Sequence, residues 1–351
     1  MTSRVKQSLV LVAGLSVLTA ALLYSMVTNS DWRHFDFRLF LQSFRGLQWA
    51  WVGAAFLLIY STYLTRALRW RILIRPVKQA PRLWNLVSAT VIGFGAIAVM
   101  GRPGEFVRPY LVAKKENLPV SGQLAVWVLE RSFDTLILLA GIAFAVGSYQ
   151  PVSEAGPLPA QWWNSLGRLV GLASIGVLAM LVLLRGYYDA MRSRAVSLLR
   201  GIVWSPLRTR LGEIEHFLAV FGQGLASLRD WRAMGMCLLW GLLQWFLVAL
   251  SYYAVLLACA PGLRLNLEQA IIFMGIAMAG SAFQIPGVGG GMQIASVLAL
   301  TEIFQMQVEL ATSTAILVWA LTFLAILPPA LILLVQEGLT WAKLRELESE
   351  V

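Results

Sequence analysis

The chain has 351 residues, 58% of them hydrophobic and only 13% charged, against about 25% charged in an ordinary soluble domain. That balance excludes a soluble globular protein and indicates a membrane protein. The formal net charge of +10 does not point to nucleic acid, because the basic residues fall in short clusters beside apolar runs, where the cytoplasmic ends of membrane helices carry them. Phosphate-rich lipid surfaces are the matching counter-charge.

The first apolar run, Leu9 to Val27, follows Arg4 and Lys6. It is longer than the apolar core of a cleaved signal peptide and no small-x-small site ends it, so a retained anchor is expected. Runs of about 20 apolar residues at 8–28, 49–69, 123–147, 166–185, 234–260 and 309–336 predict six crossings. Two further runs, 84–100 and 268–283, each meet a glycine and proline break, Gly101-Arg102-Pro103-Gly104 and Pro286-Gly287-Val288-Gly289-Gly290-Gly291. A shorter helical stretch follows each break, so each is either a full span, a kinked helix or half of a re-entrant hairpin. The stretch 186–232 is too charged, and too interrupted by Pro206 and Gly212, to be a span; basic amphipathic helices on the cytoplasmic face are expected there.

The distribution of lysine and arginine chooses between these. If both breaks are hairpins, the inside receives the N-terminus, Arg66, Arg69, Arg71, Arg75, Lys78, Arg82, Lys114, Lys115, the arginine-rich 186–232 linker, and Lys343 and Arg345 of the tail. The 148–165 loop, which has no lysine or arginine, falls outside. If both are full spans, that loop lands inside and the linker outside, against the positive-inside tendency. The expected fold is therefore an all-α polytopic membrane protein with six full spans and two re-entrant hairpins. Its halves, 1–148 and 166–336, each read span, span, hairpin, span from opposite sides, which makes them inverted-topology repeats of one transmembrane domain. Transporters recur in that architecture, and irregular backbone at membrane depth needs protein or a watery cavity around it.

Charges in or beside apolar segments cost about 2.5–3.5 kcal/mol each on insertion scales, which singles out Arg102, Glu105, Arg108, Glu130, Arg131 and Asp134. In "VLERSFDTL", Glu130 and Asp134 share a helix face and Arg131 is spaced to pair with Asp134; in "GRPGEFVRP", Glu105 is spaced to pair with Arg108, leaving Arg102 without a local partner. One role for Glu130, Arg131 and Asp134 is a buried ion-pair network that pins the first hairpin. For Arg102 and Arg108 the expectation is a lipid phosphate, which guanidinium forks bind bidentately near the free N–H groups of the helix after Pro103-Gly104. In the second break Gln284, Pro286, Gly287, Gly290 and Gln293 offer a glycine-rich backbone to a substrate, without the Lys-Ser/Thr ending of a nucleotide loop. The aromatic residues of "QWW" and "SYY" read as interface belts. His34, His216, Cys237 and Cys259 have no metal-site spacing, and no cofactor is expected.

Four segments together resemble the flippase-like membrane family that includes the membrane domain of lysylphosphatidylglycerol synthases: "RALRWRIL", "GRPGEFVRPYLVAKK", "ERSFD" and the late "PGVGGGMQ". The last departs from the family pattern, with Gln293 where a glutamate is usual and Val288 where a glycine is. The resemblance implies translocation of a phospholipid or polyprenyl-phosphate lipid in a prokaryotic inner membrane. With no soluble aminoacyl-transferase domain expected after Val351, it does not imply aminoacylation. The alternatives are a membrane enzyme using Glu105, Glu130 or Asp134 as acid or base, or a membrane partner of a separately encoded lipid-modifying enzyme. Membrane lipids are the expected partners, with both termini cytoplasmic.

Overall fold

A computed structural model describes residues 35–149, 160–201, 205–225, 230–263, 265–281, 284–285 and 289–338. The expected first crossing at 8–28, most of the 148–165 loop, Pro286 and Gly287 in the second break, and the basic tail lie outside the described residues.

The described chain is helical apart from one two-residue antiparallel pairing, Gln284 with Gly290 and Ile285 with Gly289. In order the helices are α1 (Phe37–Arg45), α2 (Trp49–Ile74), α3 (Leu83–Met100), α4 (Val107–Glu116), α5 (Val120–Ser148), α6 (Ala160–Gly201), α7 (Ser205–Gly224), α8 (Trp231–Cys259), α9 (Leu267–Gly280), α10 (Gly291–Leu298), α11 (Val308–Trp319) and α12 (Leu327–Gln336). Four stretches are long and apolar enough to cross a membrane: Leu83–Met100, Trp163–Tyr188, Trp231–Cys259 and Val308–Gln336. Counting α1 and α2, bent by 77°, as one broken span gives a fifth. The protein is an all-helical, multi-pass membrane protein.

Two expected crossings sit differently from the pattern. Helix α2 counts as a crossing only together with α1, and α5, 29 residues long, is not among these stretches; both carry charged side chains, Arg66, Arg69 and Arg71 in one and Glu130, Arg131 and Asp134 in the other. The linker also differs: α6 runs unbroken for 42 residues from the expected crossing into the basic stretch, since no glycine-proline break separates them. The later part of the linker forms α7, which packs on α5.

Both expected breaks reverse the chain. Gly101, at φ 73°, ends α3 in a conformation that a residue with a Cβ rarely adopts, and a single 3-10 turn, Arg102–Phe106, leads into α4. Helix α4 then runs back along α3, bringing Lys115 Nζ to 2.6 Å from Ser88 Oγ and Asn85 Nδ2 to 2.7 Å from Glu116 Oε1. At the second break α10 returns against α9. A Cβ on Gly280 would lie 2.4 Å from the Gly291 carbonyl oxygen, so only glycine allows that approach.

Helices from early and late in the chain interlock. Helices α2 and α8 pack antiparallel along their length, with the Gln48 N–H donating to the Ala258 carbonyl (3.1 Å) and Ser251 Oγ donating to the Ala55 carbonyl (3.2 Å). Helix α3 packs on α12, Gly95 facing Ala330, and α9 packs on α5, Gly275 facing Ile142. The folded-back pair α3–α4 thus leans on α12, and the pair α9–α10 on α5. At one pole Lys78 pairs with Glu116 at 2.6 Å and Lys115 with Glu337; at the other the Asp36 N–H donates to Glu309 Oε1 at 3.0 Å.

Candidate functional site

The charged side chains of α2, α4 and α5 converge at one place. On α2, Arg66 and Arg69 are three apart and share a face; on α5, Glu130 and Asp134 are one turn apart and point at that face. Arg69 bridges the two carboxylates, its Nη2 lying 2.9 Å from Glu130 Oε1 and its Nη1 2.7 Å from Asp134 Oδ1, with both its own side chain and that of Glu130 wholly buried. Arg108 enters from the first turn of α4 and donates through Nη1 to both oxygens of Glu130 at 3.1 and 2.8 Å, and through Nη2 to the Arg66 carbonyl at 3.2 Å. Its guanidinium lies 4.0 Å from the Trp70 ring centroid, a cation–π contact strengthened by exclusion of water. Gly93 of α3 makes room for this residue, because a Cβ there would stand 2.7 Å from Arg108 Cβ.

Arg66 completes the cluster at 3.4 Å from Asp134 Oδ2 and lies over the Phe94 ring. Arg131 reaches the same carboxylate at 3.5 Å. From α8, Trp245 Nε1 donates to Asp134 Oδ1 at 3.2 Å, with Gln244 Nε2 at 3.4 Å.

Four guanidinium groups therefore meet two carboxylates, leaving two positive charges. The Nε atoms of Arg66 and Arg131 are buried and make no hydrogen bond among the described residues. Beside the cluster lies a cavity of about 180 Å³ whose wall includes Arg66, Arg102, Glu105 and Arg131. Tyr63, Trp245, Tyr252, Ser281 and Thr322 are among its other polar and aromatic lining residues. Arg102 and Arg131 are its more open cations, with side chains 62% and 37% exposed.

Several sequence expectations change here. Glu105 pairs not with Arg108 but with Arg102, at 3.2 Å, because the 3-10 turn carries Arg102 and Glu105 together while Arg108 turns inward to Glu130. Arg102, expected to lack a local partner, therefore has one. Arg131 and Asp134 pair as expected, and Glu130 and Asp134 do share a face. Arg108 is buried within the protein and is absent from the cavity wall. In the second break, Gln293 Oε1 accepts from the Gly290 N–H at 2.7 Å and so caps α10, and neither residue lines the cavity. Gln284 takes part in the short backbone pairing; Pro286 and Gly287 lie outside the described residues.

Arg66, Arg69 and Trp245 were not singled out by the sequence pattern. The available signal was that Arg66 and Arg69 fall inside a 26-residue helix that starts at Trp49, too deep for both to belong to its basic end. Among the described residues no cluster of histidine, cysteine, aspartate or glutamate is arranged to hold a metal ion.

A protein-family model described as the lysylphosphatidylglycerol synthase TM region matches residues 9–330. No curated protein and no solved structure matches the chain.

Proposed function

The chain belongs to the lysylphosphatidylglycerol synthase transmembrane-region family, and from that premise we propose that it binds the phosphate of an anionic lipid beside its arginine cluster and carries the head group across the membrane. The observation that supports this reading most is the imbalance of the clustered charges, all buried but for the part-open Arg131. Two carboxylates face four guanidinium groups, and an unbalanced charge at membrane depth is costly unless water or a ligand compensates it. A phosphate bearing one or two negative charges matches the surplus, and the guanidinium edges of Arg66 and Arg131 are of the chemistry that holds it. Arg69 and Arg108, locked to Glu130, hold the arrangement rigid. Glu130 and Asp134 are each committed to guanidinium partners, which speaks against their serving as acid or base in an enzyme.

The architecture is of the kind such a task requires. On this reading α3–α4 and α9–α10 are re-entrant hairpins in inverted repeats, α2 and α8 are equivalent helices about the pseudo-two-fold axis, and the cavity between the halves offers the passage. The pole carrying Lys78, Lys115 and Arg82 faces the cytoplasm of a prokaryotic inner membrane, by the positive-inside tendency.

The test is binding and translocation of labelled phosphatidic acid and phosphatidylglycerol in liposomes containing the purified protein. Arg131→Gln and Arg66→Gln are each expected to weaken binding by roughly tenfold to a hundredfold, the worth of one charge-assisted contact of about 1.5–3 kcal/mol. Wild-type binding by both folded variants overturns the reading.

A further inference from the structure

We propose that a second, apolar groove between α5, α8 and α9 holds one hydrocarbon chain of the lipid whose phosphate occupies the arginine cavity, with Trp245 forming the wall between the two. This rests on the phosphate reading above and adds to it the other half of the substrate. The groove measures about 320 Å³ and is walled by residues such as Ile137, Gly141, Leu242, Phe246 and Met274, with no charged side chain among its lining. Trp245 lines both spaces and donates to Asp134 of the charged cluster.

The two linings follow one another along all three helices. Arg131 on α5 borders the cavity and Ile137 the groove, about 9 Å further along the axis at 1.5 Å per residue. On α9, Met278 borders the cavity and Met274, one turn back, the groove; on α8, Val248 and Ala249 are adjacent residues on either side. The groove is open toward the surrounding bilayer, where Leu242 and Phe246 are half exposed. A molecule that presents phosphate to the one and hydrocarbon to the other is a lipid.

Gly141 provides the means of testing this. A Cβ built there meets nothing within 4 Å, so leucine at this position fills the groove without displacing the backbone, and it favours the helix over glycine. A lipid tail leaves one hydrocarbon medium for another, so the groove acts through shape and packing and not through transfer out of water.

The experiment measures binding of dioleoyl and dihexanoyl phosphatidic acid to the purified full chain in nanodiscs, for wild type, Gly141→Leu and Arg131→Gln, with thermal unfolding as the folding control. Gly141→Leu is expected to weaken the long-chain lipid by roughly tenfold, the scale on which apolar pockets discriminate shape, and to leave the short-chain lipid unchanged. Arg131→Gln is expected to weaken both. If Gly141→Leu leaves both lipids unchanged, or weakens both equally, while Arg131→Gln weakens both, the groove proposal falls and the phosphate site stands. If Arg131→Gln changes neither, and Arg66→Gln measured alongside it also binds both lipids as wild type does, the phosphate site falls and takes the groove with it. Leu242→Trp narrows the groove from its open flank and is read in the same way should Gly141→Leu fail to fold.

Discussion

Glu130→Gln removes one negative charge from a group that is 0% exposed and keeps its shape. In the wild type its oxygens face Arg69 at 2.9 Å, Arg108 at 2.8 and 3.1 Å, and Arg131 at 3.8 Å. After substitution the four guanidinium groups share only Asp134, and the surplus rises from two positive charges to three. Losing one partner of a buried pair costs about 3–5 kcal/mol because the other charge is left uncompensated, and here Arg69 and Arg108 are both affected. The assay is the thermal unfolding midpoint in detergent, with a double-mutant cycle against Arg108→Gln to separate the pair from its surroundings. The single variant is expected to fall by the full amount, and the double variant by clearly less than the sum of the singles, because removing the second partner relieves the imbalance. Additive losses, or a single loss below about 1 kcal/mol, would refute the claim that this network holds α2, α4 and α5 together.

Other consequences follow from the same geometry. With Cys237 and Cys259 replaced by alanine, cysteines introduced at Gly262 and at Arg75, which are at opposite poles and exposed, should label from opposite faces of the membrane; labelling from one face removes the topology on which the repeats depend. Trp245→Phe deletes the Nε1 donor to Asp134 and should cost about 1–3 kcal/mol of stability, the range for leaving a buried charged acceptor short of one bond, read by the same unfolding midpoint. Burial works to raise the Glu116 carboxyl, but hydrogen bonds from Lys78 and Asn85 outweigh it and hold the group below its ordinary value of 4.5. A depressed carboxyl stabilises the fold above its unfolded value and loses that contribution as pH falls through the folded one. The unfolding midpoint of Glu116→Gln should therefore lie below wild type near neutrality, and the gap should close as pH falls below about 4.5; a gap independent of pH contradicts this.

What was legible in the sequence is what local chemistry controls. Both chain reversals could be read from Gly101-Arg102-Pro103-Gly104 and from the glycines around 287–291, because backbone breaks are written in residues that cannot continue a helix. The family resemblance, carried by "RALRWRIL" and "ERSFD", agrees with the match over residues 9–330. Pairing was a different matter. Spacing within a segment offered Glu105 two arginines, Arg102 and Arg108, at equal separation, and nothing local says that the tighter 3-10 turn favours the first while Glu130, 22 residues away from Arg108, captures the second. Arg66 and Arg69 were absorbed into a count of cytoplasmic charge; their depth in the run from Trp49 was a signal that they are buried, but their partners on α5 emerge only from tertiary packing. The 42-residue length of α6 was hidden for the converse reason: charge density marked a boundary that the backbone does not observe.

The arginines of the charged cluster and its cavity all come from residues 66–131. Helix α2 contributes Arg66 and Arg69 and the first break contributes Arg102 and Arg108, whereas the α8 residues nearest the cluster are the uncharged Gln244 and Trp245, and the second break carries no charged residue at all. A symmetric copy would double the surplus around one cavity and hold an anion too firmly to let it go, while a site without surplus would leave the phosphate uncompensated in the apolar slab. Conduction through a membrane requires binding favourable enough to enter and weak enough to leave. On the proposed function, a surplus of two charges, with two further guanidiniums tied down by Glu130 and Asp134, is a compromise of that kind. The neutral second hairpin, which borders the cavity through Met278 and Ser281, then serves as the surface past which the head group slides, and a charge placed there, Ser281→Lys, should slow release of phosphatidic acid from liposome-reconstituted protein more than it alters binding. Faster release would show that the one-sided placement of charge has no part in the transport step.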